Sequence, residues 1–313
     1  MSEERSRKLF LTGVTGFIGS EFLRQLTAHE IESSVCLVRS TESSHRLSEV
    51  FPALDFVVGD LADPETYRDQ LRGVETIVHV AAATGAATEA ELKEINVNGT
   101  RELLTSGSEM GVTRFVFVSS IAAGYPELEH YPYAQSKRDA EALVESSGFQ
   151  FEILRPTIVL GQQSPIWRML VKLANLPLVP AVAGLRENIQ PVEVVDVARA
   201  LAMQMRSPEL TNAIIEFGGP EVLRFSDFLR RIRLLSGRRP VLLIPVPVWP
   251  LRVVLRILER VLGERSPISA GQLTPFLYDG TAEENPLYRE LESAMTPLDQ
   301  LVRRLSQDSR TDV

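Results

Sequence analysis

The chain is poor in the residues that staple or metallate small proteins: 313 residues contain one cysteine, four histidines and four lysines. Cys36 alone excludes an internal disulfide, and so few soft ligands argue against a structural zinc or any other metal site. Positive charge is in deficit, with 33 Lys and Arg against 41 Asp and Glu and a net charge of −8. That balance argues against a nucleic-acid partner, although a local basic patch would survive it. The opening MSEERSRKLF has no apolar leader core, so the expected location is cytoplasmic. No internal repeat and no low-complexity segment occurs. The longest apolar stretch, 241–262, is interrupted by Pro245, Pro247 and Pro250 and by Arg252 and Arg256. It is poor material for a membrane span, which needs about 20 apolar residues in a row. It reads as a buried or groove-lining helix. The alternative is a helix on a membrane surface, because Arg252, Arg256 and Arg260 recur every four residues.

What is present is the mixture of a globular, enzyme-sized protein, 44% hydrophobic and 24% charged. The first half alternates strands and helices. Apolar runs at Lys8–Thr12, Ser34–Val38, Asp55–Val58, Thr76–Val80, Arg114–Ser119 and Phe151–Leu154 read as six strands. Helical patterns lie at Gly19–Thr27, after Asp63-Pro64-Glu65, at 89–110 and at Tyr131–Ser147. Continuous apolar strands separated by helices predict a parallel sheet buried on both faces, a Rossmann-like doubly wound α/β fold. Its ligands sit at the carboxyl ends of the strands. Residues 1–160 are expected to form this dinucleotide-binding domain. Residues 161–313, where prolines cluster and periodicity loosens, are expected to form a smaller substrate-binding lobe. One strand near 190–217 (Ala213–Phe217 is the apolar run) can return to the main sheet, and Ser226–Leu235 reads as a capped helix.

The strand-to-helix turns carry the motifs. Gly13, Gly16 and Gly19 stand in TGVTGFIGS, after the first strand and opening the first helix. Glycines there allow a tight turn and close approach of a pyrophosphate, which the helix N-terminus favours. The second strand ends at Arg39, 23 positions after Gly16, where an NAD-binding chain usually carries an acid for the ribose diol. A guanidinium suits a 2′-phosphate instead, so NADP(H) is favoured over NAD(H). A merely solvated arginine is the plain alternative, and nearby Glu42 keeps NAD(H) open. Asp60 closes the third strand, either accepting from an adenine amine or capping the turn. HVAAA at 79–83 ends the fourth strand with small side chains against which a cofactor can lie; His79 itself reads as a packed strand residue.

Tyr133 and Lys137 form YAQSK on a predicted helix, where a spacing of four puts both on one face. A free phenol, with a pKa of about 10, is too weak an acid for efficient proton transfer at neutral pH, and a neighbouring ammonium would lower it. Ser120 ends the fifth strand and can hold a substrate oxygen beside the tyrosine. With four lysines and six tyrosines in the chain, Tyr-x-x-x-Lys alone is suggestive; its place after the serine strand and the glycine loop gives it weight.

These motifs, with NVNGT at 96–100, LRPTIVLG at 154–161 and QPVEVVDVARA at 190–200, run in the order of the extended short-chain dehydrogenase/reductases, the NAD(P)-dependent epimerase/dehydratase superfamily, which this sequence resembles. The resemblance covers about residues 8–200 and weakens afterwards. It implies a pyrophosphate loop of Gly13, Thr15, Gly16, Phe17, Ile18 and Gly19. It implies further cofactor contacts at Arg39, Asp60, Leu61, Ala81, Ala82, Asn96, Tyr133, Lys137 and Pro156, and a catalytic set of Ser120, Tyr133 and Lys137. Only 13 positions separate Ser120 from Tyr133. Many nucleotide-sugar members carry a longer insertion there, and its absence shortens one wall of the substrate site.

The expected function is therefore NADP(H)-dependent hydride transfer between a carbonyl and an alcohol, with Tyr133 as acid–base. The Leu-, Val-, Pro- and Trp-rich second half points to a fairly apolar small-molecule substrate. Nucleotide-sugar epimerase or dehydratase chemistry and a non-catalytic NADPH-binding regulatory or assembly role are the alternatives. Homodimerisation through the 89–110 and 131–147 helices is expected from the resemblance.

Overall fold

The computed structural model describes residues 8–85, 87–129, 131–176, 178–182, 187–237, 242–246 and 278–308. Two compact units form, and the chain passes between them more than once rather than dividing at residue 160. The first comprises 1–123, 133–155 and 194–215; the second comprises 124–132, 156–193 and 216–313.

The first unit is built on a seven-stranded sheet. Its strands are β1 (Leu9–Thr12), β2 (Ser34–Val38), β3 (Asp55–Val58), β4 (Thr76–His79), β5 (Arg114–Val118), β6 (Gln150–Pro156) and β11 (Ala213–Phe217). The order across the sheet is β3-β2-β1-β4-β5-β6-β11, with β1 to β6 parallel. The order reverses between β1 and β4, the switch point where doubly wound folds bind nucleotides. Strands β1, β2 and β4 are buried at every position, so their uninterrupted apolar runs fit a sheet enclosed on both faces. Parallel register places Thr12 opposite His79, His79 opposite Phe117 and Phe117 opposite Ile153. Four separate strands thus contribute neighbouring residues to one row.

Helices α1 (Phe17–Leu23) and α8 (Val194–Arg206) pack against each other. A core of Phe10, Leu71, Leu103, Phe115, Phe117 and Ile153 lies under the remaining elements. Truncating one of these phenylalanines to alanine would cost about 3–5 kcal/mol. Local sequence fixes the short helices α2 (Ala28–Glu32) and α4 (Glu89–Leu92) through reciprocal caps. Thr27 pairs with Glu30 and Thr88 with Glu91. Helix α3 (Thr41–Val50) starts at Ser40, whose hydroxyl accepts from the Ser43 N–H.

Three local departures from the sequence expectation follow. The segment after Asp63 forms two 3-10 turns, Pro64–Thr66 and Arg68–Leu71, because Asp63 makes no side-chain cap and Tyr67 turns inward to donate to Leu61 O at 3.2 Å. The 89–110 helix is not uniform: α4 leads into a π-helical turn, Lys93–Asn98, and then α5 (Gly99–Glu109). Helix α9 (Phe225–Leu235) begins one residue before Ser226, and Arg224 stands at its N-cap without a side-chain bond.

The second unit surrounds a core of Trp167, Leu170, Phe228, Leu229, Leu301, Val302 and Leu305. These come from α7 (Pro165–Asn175), α9 and α11 (Leu298–Asp308); the short α10 (Pro286–Leu291) precedes α11. Ser164 caps α7, with Pro165 at its first position. Residues 242–246 form a strand, β13, parallel to β8 (Leu178–Val182), so the helical reading of 241–262 fails there; 247–262 lie outside the described residues. The strand pairs β7 (Val159–Leu160) with β10 (Val192–Glu193), and β9 (Asn188–Ile189) with β12 (Leu223–Arg224), complete the unit. Among the described residues no helix is long and apolar enough to cross a membrane.

Candidate active site

The glycine loop leaves β1 in a backbone that only glycine accepts readily. Gly13 has φ +74°, and a Cβ there would lie 2.3 Å from Ala81 N at the end of β4. A Cβ on Gly19 would lie 2.1 Å from Gly13 O, so this buried glycine lets α1 close onto the turn. Gly16 differs: it is exposed beside exposed Thr15, its N–H donates to Gly13 O at 3.0 Å, and a Cβ would meet only that oxygen, at 3.1 Å. Phe17 and Ile18 are half-buried at the start of α1. The three glycines therefore divide: Gly13 and Gly19 are required by close packing, and Gly16 stands exposed on the turn.

Around this loop, the other cofactor candidates take distinct environments. Arg39 is exposed just past β2 and, among the described residues, pairs with no carboxylate. Asp60 is exposed, and its Oδ1 accepts from Ala62 N at 2.9 Å, so it does cap its own turn. Leu61 is buried and packs against Gly99, where a Cβ would lie 2.9 Å from its own Cβ. Ala81 and Ala82 are half-buried past the end of β4. Asn96 is 1% exposed, and its amide is engaged by Ala83 and Ser136. Pro156 is buried as the last residue of β6.

At the chemical end, α6 (Pro132–Glu145) carries Tyr133 and Lys137 one turn apart. The Ser120 side chain hydrogen-bonds Tyr133 and accepts from Ala122 N at 3.3 Å. Arg138 Nε donates to Ala123 O at 2.7 Å, tying the Ser120 turn to α6. Burial pushes the Tyr133 phenol up to about 12, with the Ser120 bond pulling it back. Lys137 is 2% exposed; its Nζ donates to Val118 O at 2.7 Å and lies 4.1 Å from the centroid of the Phe117 ring. Burial lowers the Lys137 pKa to about 7 against the opposing pull of Glu141. The expectation that Lys137 depresses the phenol thus gives way to a different arrangement. The long stem carries the ammonium to the end of β5, and Ser120 is the group that favours the ionised phenol.

Sequence reading passed over Ser136, Thr100, Thr12 and Arg138. Ser136 lies inside the YAQSK motif and Arg138 directly after it, and position was their only signal. Thr12 depended on strand register, and Thr100, on α5, on its contact with His79. Among the described residues, no three His, Cys, Asp or Glu side chains converge as a cation site.

A family profile described as NAD(P)H-binding matches residues 13–172. UDP-glucose 4-epimerase of Vibrio cholerae is 27% identical over 78% of this chain and 80% of its own length. Ceramide reductase of Caulobacter vibrioides is 28% identical over 74% and 72%. Among solved structures, dTDP-glucose 4,6-dehydratase of Streptomyces venezuelae with bound NAD superposes with a TM-score of 0.72 at 22% identity, covering 97% of each chain.

Proposed function

The chain belongs to the NAD(P)H-binding family, in its extended short-chain dehydrogenase/reductase branch, and from that membership we propose that it is an NADP(H)-dependent reductase of an apolar ketone or aldehyde. The observation that carries the reading is the hydrogen bond between Ser120 and a Tyr133 phenol held protonated by burial. A protonated phenol beside a second hydroxyl is arranged to give a proton to a carbonyl oxygen as negative charge grows there. Bound NADPH supplies the hydride to the carbonyl carbon. Ser120 holds the oxygen, and Tyr133 transfers its Oη proton to it, so the product is the alcohol and Tyr133 is left as phenolate. Ser120 is the group that eases ionisation of the phenol, while Lys137, one turn away, keeps its Nζ on Val118 O.

The open backbone at Gly16 fits a pyrophosphate, and the small side chains of Ala81 and Ala82 fit a flat ring against the end of β4. Arg39 is assigned to the 2′-phosphate, where its planar fork donates to two oxygens at once. Asp60, with one oxygen on Ala62, has the other for an adenine amine. The apolar substrate class rests on the composition of the second half and on the short interval between Ser120 and Tyr133. The ceramide reductase relative, named for a lipid substrate, agrees with it.

Two measurements test the reading. Titration of NADPH and NADH into the wild type and Arg39→Ala should give tighter NADPH binding that collapses in the variant. Turnover of a panel of long-chain ketones and aldehydes should fall about 10²–10⁴-fold in Tyr133→Phe while NADPH affinity holds. Tighter NADH binding would overturn the cofactor assignment, and turnover retained by Tyr133→Phe would overturn the acid assignment. NADPH binding without turnover of any carbonyl would favour the non-catalytic role.

A further inference from the structure

A directed chain of hydrogen bonds runs from the glycine turn to the first turn of α6, and its centre is a residue outside the proton-transfer set. Its sense can be derived link by link. Thr100 Oγ1 lies 2.7 Å from Asn96 O, which only accepts, so the Thr100 hydroxyl proton is committed there. Its 3.0 Å contact with His79 Nε2 must then be an N–H donated by the imidazole. His79 Nδ1 is consequently bare in the neutral ring and accepts from Thr12 Oγ1 at 2.6 Å. Thr12 Oγ1 in turn accepts from Ala81 N at 3.3 Å.

Beyond Asn96 the sense is equally fixed. Asn96 Oδ1 accepts from Ala83 N at 2.7 Å, which orients the amide. Its Nδ2 then donates to Ala83 O at 3.1 Å and to Ser136 Oγ at 2.9 Å. The Ser136 hydroxyl proton goes to Tyr133 O at 2.7 Å. Each hydroxyl has one proton and uses it once, so no link can reverse without breaking its neighbour within either run, Ala81 N to Asn96 O or Asn96 Nδ2 to Tyr133 O; Asn96 joins the two covalently.

Three features show that the chain is a built device. Thr12, His79 and Phe117 are register neighbours on β1, β4 and β5, and the imidazole stacks on Phe117 at 5.4 Å and 15°. His79 and Thr100 are fully buried, with no solvent to substitute for a lost partner. Asn96 sits in the π-helical turn Lys93–Asn98, a conformation rare in helices and concentrated where a side chain has to be aimed.

We propose that His79 is a positioning residue: as the neutral Nε2–H tautomer it locks the Ala81–Ala83 wall, through Thr12 on one side and Thr100 and Asn96 on the other, to the turn of α6 that carries Tyr133. The proposal rests on the reductase reading for its purpose, because the wall is where the cofactor ring lies and Tyr133 is the acid. Hydride and proton must reach adjacent atoms, and a misplacement of about 1 Å costs about a hundredfold in rate. Asn96 then serves by joining β4 to α6 rather than by touching the cofactor.

Amide hydrogen exchange read by mass spectrometry on the full chain tests the coupling without any substrate. His79→Phe keeps the ring and its stack but loses both hydrogen bonds. It should speed exchange in residues 131–138 by about fivefold, as should Ser136→Ala, and the double variant should add nothing further. Phe149→Leu is the packing control: Phe149 meets the same Phe115 ring as His79 and lies outside the chain. It should leave 131–138 unchanged. With n-decanal as the probe carbonyl, His79→Phe should lower kcat about tenfold with KM within about twofold. Exchange changes confined to β1, β4 and β5, or additive effects of the two substitutions, would overturn the proposal. Should His79→Phe not fold, Thr100→Val removes the same acceptor and takes its place. Wild type that turns over no carbonyl defeats the reductase reading, while the exchange arms still decide the coupling.

Discussion

Arg155 holds Glu141 in a two-pronged ion pair, Nε to Oε1 at 2.9 Å and Nη2 to Oε2 at 2.6 Å, with the Glu141 side chain only 3% exposed. Glu141 lies one turn beyond Lys137 on α6, so Tyr133, Lys137 and Glu141 form a column on one helix face. The ammonium is thus favoured by a carboxylate that Arg155 holds in place.

Breaking this pair from one side should be far worse than removing it. Arg155→Met leaves a buried carboxylate uncompensated and should lose about 3–5 kcal/mol of stability. The double replacement Arg155→Met with Glu141→Leu should recover most of that loss. Denaturant midpoints of the three proteins check this; equal losses in the single and double variants would contradict it.

Lys137 gives stability a rising pH dependence. Its pKa falls from 10.5 to about 7 on folding, so between these values the unfolded chain binds the extra proton. The penalty is fully present below about pH 7 and is relieved as pH rises towards 10. Unfolding free energies measured from pH 6 to 10 should therefore climb in wild type relative to Lys137→Met. Parallel curves would show that burial does not depress this lysine.

His79 acts at the acid end. Burial, aided by the Lys137 charge, lowers its pKa from 6.5 to about 3. The unfolded state binds the additional proton between those values, so the stability present above pH 6.5 is lost as pH falls towards 3. The His79→Phe protein should lack this component of acid destabilisation. The comparison is made by thermal melts at stepped pH.

The glycines should separate by function. Gly19→Ala drives a methyl into Gly13 O and should destabilise the protein by about 1–3 kcal/mol, with NADPH binding lost in proportion to folding. Gly16→Ala meets a single, more distant contact and should fold with stability within about 1 kcal/mol of wild type. Its NADPH affinity should nevertheless fall at least tenfold, because the methyl occupies the approach to the loop. Melting curves and cofactor titration on the same samples decide.

Legibility in the sequence followed the range of the interactions. The strands were readable because a run such as SVCLV is apolar at every position, and burial on both faces demands that locally. The glycine turn between β1 and α1 and the helical spacing of Tyr133 and Lys137 were readable because each depends on spacing within one segment. What escaped needed another part of the chain. The Lys137 ammonium went to Val118 O rather than towards the phenol, which helix spacing cannot reveal. The partners of Asn96 in its π-helical turn are Ala83, in the loop after β4, and Ser136 on α6, and the role of His79 depends on the register of three strands. Residues 242–246 were apolar enough for either helix or strand, and pairing with β8 decided the matter.

The repeated passage of the chain between its two units constrains how such a protein can be cut or recombined. A fragment ending near residue 160 lacks α8, the helix packed on α1, and lacks β11 at the edge of the sheet. Grafting the second half of a relative onto this first half would exchange parts of both units, because residues 194–215 follow the second unit's 156–193 in the chain while belonging to the first. Exchange that respects the packing requires several crossover points. Single-residue changes leave that shared packing intact, whereas trading halves divides it.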